Sequence, residues 1–148
     1  MNLLNYTKRY FESKILIFLF LAIYLLFGIF IYKDYGISFD ENINRFNGFV
    51  SLKYIFQKLG VNINLSLFVK NLPNLTDYVD KAYGVAFDLP VALFEVILKL
   101  SDSQQVYFFK HLINFLIFFS SSVCFYFLLK NIFKNNIISL IGLFFLIS

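Results

Sequence analysis

The chain has one cysteine and one histidine, and each scarcity closes off a class of chemistry. Cys124 cannot form an intrachain disulfide, so cysteine usage leaves the redox compartment open, and its place inside an apolar run fits helix packing. Without paired Cys or His at ligand spacing, zinc chemistry has no support; a divalent ion is compatible with the acids present but not indicated, and no cofactor is expected. No Gly-rich phosphate loop is present, which removes support for nucleotide hydrolysis. Charge is also sparse, at 15% of residues, and the net +4 is not gathered into a stripe that would point to nucleic acid.

What is abundant is apolar surface. Hydrophobic residues make up 59% of the 148 positions and aromatics 22%, well above the roughly 45 to 50% apolar content of soluble domains. They come in blocks. Ile15 to Tyr32 and Leu112 to Leu129 are each 18 residues without a charge, the length a helix needs to cross a hydrocarbon layer about 30 Å thick. The first run is long for a signal-peptide core and lacks a small-x-small cleavage pattern before Lys33, so it is expected to be a retained signal anchor. Ahead of the second, Ser101-Asp102-Ser103-Gln104 has a capping-box form that would start its helix early, outside the lipid. A third run, Ile137 to Ile147, supplies 11 residues, about half a crossing.

The expected fold class is therefore an all-α membrane protein, with transmembrane helices and a long extracytoplasmic loop containing two amphipathic juxtamembrane helices. Its order is a cytoplasmic segment 1–14, a first span 15–32, the loop 33–110, a second span 111–129, a cytoplasmic turn 130–136 and the start of a third span at 137–148. Orientation follows from basic residues in the short flanks. Lys8, Arg9 and Lys14 against Glu12, and Lys130 with Lys134, place both flanks in the cytoplasm of a multi-pass cell-membrane protein. The 78-residue loop holds eight basic and eight acidic side chains, so it is neutral and outside.

Two segments of that loop carry helical periodicity. Ser38-Phe39-Asp40-Glu41 has the S-x-x-E capping form, followed by Ile43, Phe46, Phe49, Val50, Ile55 and Leu59 at roughly helical spacing. Asp88 can cap a second helix that accepts Pro90 early and continues through Phe94, Ile97 and Leu98, with Glu95 and Lys99 as an i,i+4 pair and its end at Leu100 and Ser101. Both are expected to lie in the membrane interface. Residues 60 to 82 read as irregular, and no internal repeat is present. Asn64-Leu65-Ser66 and Asn74-Leu75-Thr76 are formal glycosylation sequons of a kind that also arises by chance in an Asn-rich chain.

The densest polar constellation is Asp34, Asp40, Glu41 and Arg45. With Ser38 as cap, Asp40 and Glu41 fall in the first helical turn, where free amides and the macrodipole favour carboxylates. Adjacent helical residues point about 100° apart, so one acid is expected to face a site alone. Arg45 suits a lipid phosphate. The plainer alternative is that Glu41 closes a capping box, Arg45 pairs with it across one turn and Asp40 is a solvated helix start. Lys110 and His111 suit an anionic headgroup or simple interfacial anchoring, and Asn114 with Ser120-Ser121-Ser122 suits helix packing.

This order of parts resembles the amino-terminal portion of the GT-C type of integral membrane glycosyltransferases, which use sugars carried on polyprenyl phosphates. Asp34-Tyr35-Gly36-Ile37-Ser38-Phe39-Asp40-Glu41 with Arg45 and Gly48 is similar to the first-loop acidic motif of bacterial members. Tyr83-Gly84 through Glu95, Lys110-His111 and Asn114-Phe115 add to the likeness. The resemblance implies Asp40 as general base for an acceptor hydroxyl, with Glu41 as the alternative. It implies Arg45 as the cation near a departing polyprenyl phosphate. The partners expected on that basis are membrane lipid, a polyprenyl-phosphate-linked sugar donor and the missing carboxy-terminal part of the same protein, without which the piece is expected to be inactive in the cell envelope. The competing expectation is a non-enzymatic multi-span protein, a transporter half or an assembly subunit.

Overall fold

A computed structural model describes the backbone from Leu3 to Ser148 and the side chains from Lys14 onward; the expected basic flank of Lys8 and Arg9 against Glu12 lies outside the described side chains. Five α-helices follow in order: α1 Leu3–Ile31, α2 Glu41–Leu59, α3 Asp88–Leu98, α4 Ser103–Phe133 and α5 Asn136–Ile147. Single 3-10 turns occur at Leu65–Leu67 and Leu75–Asp77, and no strand occurs among the described residues. Among the described residues the fold is all-helical, and two helices are long and apolar enough to cross a membrane, through Lys14–Ile31 in α1 and Ser103–Phe133 in α4.

The helices group into two compact units, one comprising residues 1–35 and 111–148 and the other residues 36–110. In the first, Ile17 from α1, Tyr126 from α4 and Leu143 from α5 form a small buried cluster, with Phe20, Leu21, Phe125 and Leu140 against it. Tyr24 meets the rings of Phe115 and Phe119 at 5.7 and 5.8 Å. Asn135 caps α5 by accepting from the backbone N–H groups of Ile137 and Ile138. Only two residues, Lys134 and Asn135, separate α4 from α5, so the expected turn at 130–136 is mostly helix. Outside this cluster many apolar side chains are uncovered, as Phe18 at 71% and Phe30 at 78% exposure illustrate.

The second unit has its own core. Phe49 and Leu52 of α2, Leu65 and Ala92 are buried together, with Phe56, Phe68, Val69 and Val96 around them, and Phe49 stacks on Phe68 at 6.0 Å. Gly48 lets α2 cross the start of α3, since a Cβ there would stand 2.6 Å from the Asp88 carbonyl oxygen. Packing therefore takes part of the face expected to meet lipid: Phe49 and Val50 are buried, whereas Ile43, Ile55, Leu59, Phe94, Ile97 and Leu98 remain exposed. The helix ends also differ from expectation. Asp40 rather than Ser38 is the N-cap of α2, and Phe87 rather than Asp88 that of α3. Helix α3 stops at Leu98 with Lys99 in the left-handed conformation, φ 53°. Helix α4 does start early, with the Asp102 carboxylate accepting from the Gln105 N–H at 3.3 Å.

Candidate functional site

The acids expected to do chemistry sit at the start of α2, where the chain turns into the helix. Glu41 closes half of a capping box: its Oε2 accepts the Ser38 backbone N–H at 3.2 Å, while its own N–H donates to the Ser38 carbonyl at 3.1 Å. Asp40 contributes its carbonyl to the Asn44 N–H at 2.9 Å, but its carboxylate makes no capping hydrogen bond and is exposed. Its neighbour Phe39 is 91% exposed. The four-residue constellation is not one body, because Asp34 belongs to the first unit and the other three to the second.

Arg45 turns the other way, into the unit. Its Nε donates to both Glu95 carboxylate oxygens at 3.2 and 2.9 Å, its Nη2 lies 2.9 Å from Glu95 Oε2, and Nη2 also reaches the Phe68 carbonyl at 3.4 Å. The guanidinium centre stands 5.2 Å from the Phe49 ring centroid, a cation–π contact. This corrects two expected pairs at once: Arg45 takes Glu95 rather than Glu41, and Glu95 takes Arg45 rather than Lys99. The fork that suits a lipid phosphate is occupied by a carboxylate of the same unit.

Lys110 is likewise drawn inward. Its side chain is almost wholly buried, with Nζ 3.1 Å from Asp88 Oδ1 and 3.5 Å from the Glu41 carbonyl. Two cations from α2 and α4 thus clamp two acids of α3. Burial pushes the Glu95 carboxyl above its ordinary value of 4.5, an effect that Arg45 and then Lys110 oppose and that Asp88 reinforces. His111 lies in the first unit, where its ring meets Tyr35 edge-on at 6.0 Å.

Polar groups that periodicity did not single out complete the unit. The Tyr78 hydroxyl donates to the buried Asn47 Oδ1, and the Tyr107 hydroxyl to Asn42 Oδ1. Burial raises the Tyr78 pKa, with Asp80 adding to it, so the phenol stays protonated as a donor. A signal for Glu95 was present in the sequence: it is the only charge within Leu89–Leu98, and a lone acid in an apolar helix needs a buried partner. Among the described residues, no group of three His, Cys, Asp or Glu gathers as a metal site. Comparison of the chain with protein-family models, with curated proteins and with solved structures gives no match.

The chemistry open to the α2 start is accordingly narrow. One exposed carboxylate, Asp40, can take a proton from a hydroxyl brought against it, beside a glutamate engaged with Ser38. The fixed cations nearby hold the helices in register instead of facing solvent.

Proposed function

We propose that the chain is a multi-pass membrane protein whose middle unit is the outer, acid-bearing loop of a glycosyltransferase using polyprenyl-phosphate-linked sugar. The membrane part of this reading rests on exposure. Apolar side chains such as Phe18, Ile23, Phe27 and Phe30 along α1, and Ile117, Phe127 and Leu128 along α4, are uncovered by the chain itself. A core helix of a soluble domain would be enclosed, whereas lipid supplies the missing apolar partner. At about 1.5 Å per residue, the 31 residues of α4 extend about 46 Å, more than the roughly 30 Å of hydrocarbon. Its first turns, bearing Tyr107 and Lys110, then lie beyond the lipid.

The observation that carries the transfer reading is Asp40: an exposed carboxylate at a helix N-cap, without a capping duty, while Arg45, Glu95, Asp88 and Lys110 neutralise one another. In this reading Asp40 removes the acceptor hydroxyl proton as the oxygen attacks the anomeric carbon and polyprenyl phosphate departs. Arg45 and Lys110 act as positioning residues, fixing the α2 start through Glu95 and Asp88. The same internal neutralisation also favours the second reading, a non-catalytic assembly subunit in which the loop is a docking body.

Membranes containing the protein, supplied with labelled sugar on polyprenyl phosphate, decide between them. Asp40→Asn is expected to lower transfer by about a hundredfold or more at unchanged protein level, the usual scale for losing a general base. Transfer that persists in Asp40→Asn removes this residue from the mechanism; absence of transfer by the native protein favours the assembly reading.

A further inference from the structure

The middle unit contains a cavity of about 330 Å³ that the proposed chemistry does not use, formed between the end of α2 and residues 61–72. This lies at the small end of the range for ligand sites, roughly 300 to 1,000 Å³. Its walls are rich in primary amides: Gln57, Asn62, Asn64 and Asn71 all line it. Phe56, Leu65 and Val69, part of the unit's apolar core, line it as well.

All four amides are exposed, on a backbone tied at several points. Gly60, at φ 69°, turns the chain away from α2, and the Asn64 Oδ1 accepts from both the N–H and the hydroxyl of Ser66, while its two N–H donors have no partner among the described residues. Lys53 ties down the far wall through the Leu72 and Pro73 carbonyls at 2.7 and 3.3 Å. Asn71 holds a left-handed backbone conformation, φ 56°, which asparagine tolerates.

From these groups we propose that the cavity binds a neutral saccharide. Gln57, Asn62 and Asn71 each carry donors and an acceptor together, and Asn64 adds its donors, which matches hydroxyls that both donate and accept. No carboxylate lines the cavity, which disfavours cations and amines, and its one ammonium already serves two carbonyls, which disfavours phosphate as the principal ligand. Phe56 and the aliphatic lining can receive the C–H face of a pyranose ring. The sugar can come from a soluble oligosaccharide or from a glycolipid headgroup. Binding here does not depend on the transfer reaction, because Asp40 and its neighbours take no part in the cavity.

The test uses the full chain in phosphatidylcholine nanodiscs, free of sugar-headed detergent. Neutral trisaccharides of glucose, mannose and N-acetylglucosamine are titrated by saturation-transfer NMR, and glycolipids carrying the same sugars are compared in the disc. Saturable binding of at least one sugar is expected. Binding of the free trisaccharide identifies a soluble source, and binding only of the lipid-borne form identifies a headgroup. Asn62→Ala with Asn71→Gly, the glycine keeping the left-handed backbone, should weaken it about tenfold. The exposed Gln57→Leu gives a milder loss of about threefold should the double variant not fold, and Gln104→Ala on α4 should leave affinity unchanged. No saturable binding in either form, or full affinity in folded cavity variants, overturns the proposal. Neither result bears on Asp40, whose readout is transfer.

Discussion

Glu95 is the residue on which the electrostatics of the middle unit turn. It is fully buried, and its carboxyl is shifted upward by that burial despite the Arg45 guanidinium on its oxygens. The folded state therefore binds its proton more readily than the unfolded chain. The stability contributed by that proton is fully present below 4.5 and is lost as pH rises through the raised value. Removing Arg45 removes the largest influence holding the carboxyl down, so Arg45→Met moves Glu95 further up and makes its ionisation costlier. At acid pH the variant should resemble the native protein, whereas near neutrality it should lose about 3 kcal/mol, the scale of a buried pair deprived of one partner. Thermal unfolding followed by circular dichroism across that range measures the divergence. A pH-independent loss would assign the effect to the guanidinium's contacts with Phe49 and Phe68 instead.

At the scale of elements, the α2 and α3 pair is set by one close approach and one strained end. The Asp88 carbonyl that a Cβ at Gly48 would meet is backbone and cannot rotate away, so Gly48→Ala must push the helices apart and should cost about 1 to 3 kcal/mol. By contrast, Gly142→Ala in the first unit meets only the tip of the flexible Leu129 side chain and should be milder. Hydrogen exchange of peptides covering 41–59 and 88–98 should quicken in the first variant and not in the second. Lys99 carries a side chain in a left-handed conformation that glycine adopts without penalty, so Lys99→Gly should stabilise the end of α3 by roughly 1 kcal/mol and slow exchange there. Helix positions were legible in the sequence because period-3.6 apolar spacing and capping residues are local: α2, α3 and the early start of α4 were readable from Ser38 to Glu41, from Pro90 and from the Ser101-Asp102-Ser103-Gln104 capping form, although Asp102 supplies the α4 capping acceptor. The ion pairs were not. Arg45 and Glu95 are 50 residues apart, and local spacing offered each a plausible partner one turn away, Glu41 and Lys99. Tertiary packing overrode both, because the fully buried Glu95 requires a cation and Arg45 of another helix supplies it.

For the whole molecule, the decisive property of the proposed membrane protein is the side of the bilayer on which residues 36–110 lie. The loop carries equal numbers of acids and bases, whereas the excess of positive charge lies within residues 1–14 and 130–136. Basic residues in short flanks are retained on the cytoplasmic side, so the proposed topology puts the neutral unit, with Asp40 and the amide-lined cavity, at the outer face. The single cysteine makes this accessible to measurement. With Cys124 changed to serine, a cysteine introduced at Asp77, an exposed position in the 3-10 turn at Leu75–Asp77, should react with a membrane-impermeant maleimide on intact cells. One introduced at Tyr10 should react only after the membrane is opened. The reverse pattern would put the acids on the side opposite an outward-facing lipid-linked sugar and would end the transfer reading, while leaving the cavity's affinity for saccharide to be judged by its own titration.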